Sequence, residues 1–400
     1  MQAHTVLDSV AMVYTPLWNR ARELAGVRVA VRATHPRGVD APHLLQAIGD
    51  DWPEGAPPLV LSLQTPRLLQ QALSCPPVRN TWLEVPAVLF NAPDTLARLS
   101  LAQRRGHQLL RHGDFADLHG RAVPGMDVRN ALRLKPDDRP AGLNGQLVEG
   151  TTTRADLQHV LDQAGAWAVL GWPDADVLQA HQGHPATFDA RVVHQVLDVL
   201  DDEECSIEYL ERLVRQDPVL VYRLLLLVNS AAYGLQREIG SLRHALMMLG
   251  FRELGRWLTD QLPGLGDNVD ADLQPVRYAM VMRARLAQHL LASGSDDLLR
   301  AEVYTTALLS RLDELLQQPL PDLLHRLPLS GRVFDALLRH DGPYHPLIDM
   351  ARAMGDPTQI DRLGALSERH ELSLEQANRA LLRMLATSRD HSARRSERLN

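Results

Sequence analysis

The sequence predicts two fold classes in succession: an α/β domain over residues 1–190, then an all-helical domain over 191–390, with a polar tail at 391–400. Three observations predict this. Short β-like runs alternate with helical ones in the first part, strand signals almost vanish after about residue 200, and leucine is abundant while aromatics are only 4%. Strands alternating with helices make an α/β unit with a mainly parallel sheet. Leucine-rich runs without strand signals pack helix on helix.

In chain order, the expected strands are 5–14, 27–33, 59–63, 81–85, 132–135 and 166–170. Helices are expected between several of them, at 65–73, 93–105 and 154–163, the last opened by Thr153 and Asp156 as a capping box. Pro- and Gly-rich connections at 51–58 and 135–140 stop elements, and 106–140 reads as loop.

In the second part Asp217 supplies an N-cap and Pro218 a first-turn proline, whose missing N–H costs nothing there. Residues 219–228 are apolar except for Tyr222 and Arg223, so this helix is the buried centre of a bundle. Asn229 and Ser230 end it, with side chains expected to bond backbone of the following turn, and Gly234 closes the region. Ser241 opens a second helix that closes at Gly250, a residue suited to a helix end or a close helix crossing. Further helices are expected at 251–261, 274–293 and 296–317, then shorter ones at about 330–340, 345–354, 357–368 and 373–387. Ser373 with Gln376 is another capping box.

Composition narrows the function. A net charge of -7 offers no global attraction to nucleic acid or anionic membrane. Arg252, Arg256, Arg277, Arg283 and Arg285 are interspersed with Glu253 and Asp260, and no helix-turn-helix surface is evident. Cys75 and Cys205 lie far apart and form no CxxC, so neither a disulfide framework nor a thiolate metal site is indicated. No apolar stretch has the length of a membrane span and the N-terminus lacks a signal-peptide pattern, so a reduced, cytoplasmic protein is expected.

Several separated motifs occur in an order that resembles a known family. Asp217-Pro218, the leucine run, Val228-Asn-Ser230, Tyr233-Gly234, Ile239 with Ser241, and the segment ending at Gly250 are similar to the signature of the HDOD domain. That resemblance implies an all-helical domain related to HD phosphohydrolases but generally without their His-Asp metal site. Leu309-Ser-Arg-Leu-Asp313 and Leu327-Pro-Leu-Ser330 resemble the later part of two-domain EAL–HDOD signalling proteins. The dipeptide His340-Asp341 does not match the expected place of an HD pair and sits at a helix end before a Gly-Pro turn.

Such proteins begin with an EAL-like (β/α) barrel, the fold of cyclic di-GMP phosphodiesterases. Tyr14-Thr-Pro-Leu17 resembles the opening of that domain, and Gly26-Val-Arg-Val-Ala-Val-Arg32 resembles the strand with the name motif. The resemblance puts Arg28 where a metal-binding Glu is expected, Ser62 for an Asn ligand, and Ala87 for the second acid of Leu83-Glu-Val-Pro-Ala87. Glu84, Asp137 and Glu149 are the remnant acidic positions, while Thr152 replaces a later Glu. A segment at 111–115 stands for the Asp-Asp-Phe-Gly region in an open register.

The implied fold is a truncated, degenerate EAL-like barrel followed by an HDOD domain. An eight-stranded (β/α) barrel usually takes about 250 residues, so several of its helices must be short or missing. Metal-dependent hydrolysis needs converging oxygen ligands, and a guanidinium gives no lone pair. The expectation is therefore no catalytic residue, no cofactor and no metal site, with Arg28 pairing Glu84 in the barrel mouth. The function expected is non-catalytic signalling or scaffolding, with a signalling protein or a second copy of the chain as partner. The alternative is a cyclic di-GMP receptor without turnover, using Arg28 and Lys135 against phosphate; a metal-dependent phosphohydrolase ranks below both.

Overall fold

The computed structural model describes residues 5–35, 39–136, 138–184, 186–202, 205–230, 240–262, 271–292 and 294–388. The chain divides into two compact units, one made of residues 1–173 with 352–400 and the other of residues 174–351.

In the first unit eight strands close a barrel in sequence order. They are β1 (Val10–Trp18), β2 (Leu24–Ala33), β3 (Leu59–Leu63), β4 (Thr81–Pro86), β5 (Gln108–Asp114), β6 (Arg129–Arg133), β7 (Leu147–Glu149) and β8 (Ala168–Leu170). β2 to β8 run parallel, and β1 is antiparallel to both β2 and β8. Outside them lie α1 (Ala41–Asp50), α2 (Pro66–Ala72), α3 (Pro93–Arg104), α4 (Phe115–Leu118) and α5 (Arg154–Leu157), the last continued by a wider turn to Gln163. The Thr153–Asp156 capping box opens α5 as expected, and Asp40 caps α1, a helix the sequence reading did not expect.

The barrel is short because it omits crossover helices. Only the turn at 19–23 joins β1 to β2, α4 has four residues, and among the described residues no helix separates β6 from β7. β5 and β7 were not among the expected strands, and β6 ends at Arg133, two residues earlier than the expected strand. Inside, Leu17, Val60, Leu110, Ala131, Leu147 and Ala168 form the core. Below them the Arg129 guanidinium lies 5.1 Å from the Trp82 ring and 4.8 Å from that of Trp167, a cation–π filling.

The expected domain bounds are corrected at two places, and the first is that residues 174–190, expected in the barrel domain, belong to the helical unit. The second is that the reading of 191–390 as one helical domain does not hold for residues 352–388, which belong to the barrel's unit. The physical reason for the second lies in β1. Its residues Val10 to Tyr14 are all buried, so both faces of this strand are covered, yet a β1–β2 hairpin brings no crossover helix to cover it. The turn Pro357–Arg362 and helix α18 (Leu374–Ala386) pack there instead. Asn378, fully buried, donates from Nδ2 to Leu7 O and Val10 O, each at 2.8 Å. α17 (Leu363–His370) lies between that turn and α18 in the chain.

The second unit is helical: α6 (Asp174–Ala180), α7 (Ala190–Leu200), α8 (Ile207–Val214), α9 (Pro218–Val228), α10 (Leu242–Gln261), α11 (Leu273–His289), α12 (Asp297–Leu309), α13 (Leu312–Leu316), α14 (Leu320–Leu324), α15 (Gly331–Phe334) and the start of α16 (His345–Met354). α9 is its centre: Val219, Leu220, Val221, Tyr222, Leu224, Leu225 and Val228 are buried. Gly250 breaks α10 with φ 73° and ψ 159°. A Cβ there would meet nothing within 4 Å, so backbone conformation and not a close crossing calls for glycine.

Candidate functional site

The parallel strands point their C-terminal ends at one mouth, the face where (β/α) barrels gather functional side chains. Six strands contribute there: Arg28 from β2, Ser62 from β3, Glu84 from β4, His112 from β5, Arg133 from β6 and Glu149 from β7. Alternation along each strand sends these inward while their neighbours pack outward. Gly150, at φ +96°, lets the chain leave β7 beside β6, because a Cβ there would stand 2.5 Å from Leu134 O.

Arg28 is the hub. Its Nε lies 3.2 Å from Glu84 Oε2 and its Nη1 3.2 Å from Glu149 Oε1. Ser62 Oγ donates to Glu84 Oε1 at 3.1 Å. His112, with its proton on Nε2, donates to Glu149 Oε2 at 2.9 Å. Arg133 Nε stands 4.0 Å from that same carboxylate oxygen. Burial alone would raise the Glu149 carboxyl, but the His112 hydrogen bond and the charges of Arg28 and Arg133 outweigh it and hold the pKa down to about 2. Glu84, at 7% exposure, is sealed by Arg28 and Ser62.

The expected pairing of Arg28 with Glu84 is thus present, and it extends to Glu149. Lys135 follows the end of β6, and its Nζ lies 3.0 Å from Asp114 Oδ2, a carboxylate that also faces Arg133 at 3.7 Å, so Lys135 stands at the edge of the cluster and not against Arg28. Asp114 is held low and Lys135 high by that pairing. Asp137 lies outside the described residues. His112 and Arg133 were not singled out by sequence reasoning. The signal for both was strand register, since His112 pairs with Ala131 and Arg133 with Glu149 across the ladder.

A cavity of about 410 Å³ opens beside this cluster, between the strand ends and helices α2 and α3. Arg28, Ser62, Glu84, His112 and Arg133 form one wall, and Leu69, Leu73 and Leu99 an apolar one.

In the helical unit Asp217 is fully buried and ties three segments together. Its Oδ1 accepts from Val219 N at 2.8 Å and Leu220 N at 3.3 Å, its Oδ2 accepts from Asp189 N at 2.5 Å, and Arg277 Nη1 donates to Oδ1 at 2.8 Å. Arg277 Nη2 also donates to Thr187 O at 2.5 Å, so α11, the start of α7 and the start of α9 share one ion pair. Pro218 occupies the first turn of α9. Arg277 is therefore no member of a basic surface patch. Asn229 Nδ2 donates to Leu225 O and Ser230 Oγ to Leu227 O, both at 2.7 Å, so these side chains close the helix they end; the following turn and Gly234 lie outside the described residues. His340 ends its helix at φ 56°, and Asp341 N bonds Asp335 O, as the turn reading of that dipeptide requires.

Comparison with known proteins places the helical region. Residues 188–324 match the HDOD domain family. One relative is an uncharacterised protein, YuxH, of Bacillus subtilis, 26% identical over 171 residues, 42% of either chain. Another is the cyclic di-GMP phosphodiesterase CdgJ of Vibrio cholerae, 29% identical over 141 residues, 35% of this chain and 32% of that one. The matches thus span less than half the length of these relatives. Among solved structures, the MmoQ response regulator of Methylococcus capsulatus is 20% identical, with a TM-score of 0.39 over 48% of this chain and 96% of that one. The HDOD region contains the Asp217–Arg277 pair and the buried helix α9. No helix among the described residues is long and apolar enough to cross a membrane.

Proposed function

We propose that this chain is a signal-transduction protein in which a degenerate EAL-like barrel, silent in catalysis, is joined to an HDOD region that makes protein contacts. The observation that carries the reading is Arg28 lying between Glu84 and Glu149. A hard divalent cation wants several oxygens free to converge on it. Here the two mouth carboxylates already face one guanidinium, whose permanent charge would repel the ion. These residues do not fit a divalent metal centre, so no hydrolytic step is assigned to them.

The second unit supports the same reading through its construction. Its central polar residues, Asp217 and Arg277, are spent on holding helices together and are 0% and 2% exposed. Asp217 accepts from two backbone groups at the start of α9 and from Asp189 N, and Arg277 bonds Asp217 and Thr187 O, so both serve to hold helices together. Contacts with a partner protein, or with a second copy of this chain, would fall to its outer surface.

Similarity to a cyclic di-GMP phosphodiesterase raises receptor function as the second reading. It is the weaker one, because Arg28 is engaged by two acids and Lys135 by Asp114. The test is direct: incubate the chain with cyclic di-GMP and Mn²⁺ or Mg²⁺ and chromatograph the nucleotides. The expected result is unchanged dinucleotide. Linear product at a rate proportional to protein, lost in a Glu84→Gln variant, would overturn the proposal.

A further inference from the structure

The cavity beside the mouth has a character that the ion-pair cluster does not explain. Its volume of about 410 Å³ lies within the range of about 300–1,000 Å³ typical of small-molecule sites. Three buried leucines, Leu69, Leu73 and Leu99, line it, and Val88 stands in it 68% exposed. No Phe, Tyr or Trp lines it among the described residues, and the one ring in its wall, that of His112, is tied to Glu149.

Its charge is one-sided. Arg28, Arg98 and Arg133 face it against a single lining carboxylate, Glu84. Glu149 stands behind Arg28 and His112, and counting it still leaves one positive charge in excess. Arg98, on α3, is exposed and forms no ion pair among the described residues, unlike Arg28 and Arg133. An unpaired guanidinium beside a leucine wall suits a ligand with one anionic group and an apolar body.

We infer that this cavity binds a small amphipathic anion, its apolar body on Leu69, Leu73 and Leu99 and its carboxylate or other single anionic group on the arginine side, with Arg98 as a contact. The barrel would then be a ligand-receiving module whether or not the HDOD region acts as proposed above.

The test uses the full chain and two probes, anilinonaphthalene sulfonate, followed by fluorescence, and decanoate as its competitor. Saturable binding displaced by decanoate is expected. Arg98→Ala removes one charge-assisted contact and weakens binding about tenfold. Val88→Glu, at an exposed position, weakens it by placing a carboxylate in the apolar part. Arg104→Ala, on the same helix but outside the cavity, leaves affinity unchanged, and all three variants melt with the parent chain. Absence of saturable binding, or equal affinity in all variants, overturns the inference. Displacement of the probe by cyclic di-GMP but not by decanoate overturns the ligand class.

Discussion

Arg28 Nε stands 3.2 Å from Glu84 Oε2 across the barrel mouth, at 14% and 7% exposure. The same guanidinium reaches Glu149, so one cation holds acids from two strands that are not neighbours. Removing one partner of a buried pair leaves the others uncompensated, at a cost of about 3–5 kcal/mol. Arg28→Met should lower the urea midpoint of the barrel accordingly, and adding Glu84→Gln should recover part of the loss. Arg28→Glu gathers three carboxylates in the mouth. That variant should melt lower in chelator and be stabilised by Mn²⁺, while the parent chain is not. Equal stabilisation of the parent by Mn²⁺ in a thermal melt would show that Arg28 does not exclude the cation.

Glu149 gives the mouth a pH signature. Its pKa is lowered from 4.5 to about 2 in the folded chain, so its contribution is fully present above pH 4.5 and disappears as pH falls toward 2. The shift corresponds to at most about 3 kcal/mol. In Glu149→Gln that contribution is absent at every pH. The difference in unfolding free energy between the two proteins should therefore shrink steadily from pH 4.5 to 2. A difference that stays constant across this window would mean that Glu149 is not held ionised by Arg28 and His112.

How much of this was legible beforehand depended on the kind of signal. Arg28 was readable because it departs from the acid expected in a recognisable strand, and β3 and β4 were readable as compact apolar runs. β5 was not, because Gln108-Leu-Leu-Arg-His-Gly-Asp114 has only two apolar residues and no β-branched one. His112 was hidden with it. β7 has three residues, too few for any alternation to show. α18 was found as a helix but given to the wrong unit. Its amphipathic pattern says that one face is buried, without saying against what. Only the uncovered β1–β2 hairpin explains its place.

That placement is testable through Asn378. The side chain is fully buried and donates twice, to Leu7 O and Val10 O, while its Oδ1 has no partner among the described residues. Asn378→Asp replaces the donor with a carboxylate facing two carbonyls, and Asn378→Leu strands both acceptors. A buried unsatisfied group costs about 1–3 kcal/mol, and a charged one more. Asp should therefore destabilise the barrel more than Leu in chemical denaturation. A chain ending at residue 351 should fail to give a folded barrel by near-ultraviolet dichroism of Trp18 and Trp82; a native spectrum would show that α18 is dispensable.

Asp217 and Arg277 make the corresponding prediction in the helical unit. Arg277→Met leaves a fully buried carboxylate with its backbone donors but without its cation, at a cost of about 3–5 kcal/mol. Adding Asp217→Asn removes the stranded charge and keeps an oxygen that can cap α9, so the double variant should be more stable than Arg277→Met alone. A double-mutant cycle in urea reads this coupling. Strict additivity would mean that the two side chains act independently.

Gly250 tests whether the break in α10 is built into the backbone. At φ 73° and ψ 159° it occupies a region nearly closed to residues with a Cβ, and the space around it is open. Gly250→Ala therefore meets no steric neighbour, and its whole effect is conformational, about 1–3 kcal/mol of destabilisation. The alternative response is for 242–261 to become one straight helix, which would carry the side chains on one half of α10 away from their present packing, Leu246 and Leu249 or Leu254 and Leu258. Both responses lower the thermal midpoint, but only straightening raises helical dichroism at low temperature. An alanine variant that melts with the parent chain and has unchanged dichroism would show that the break does not depend on glycine.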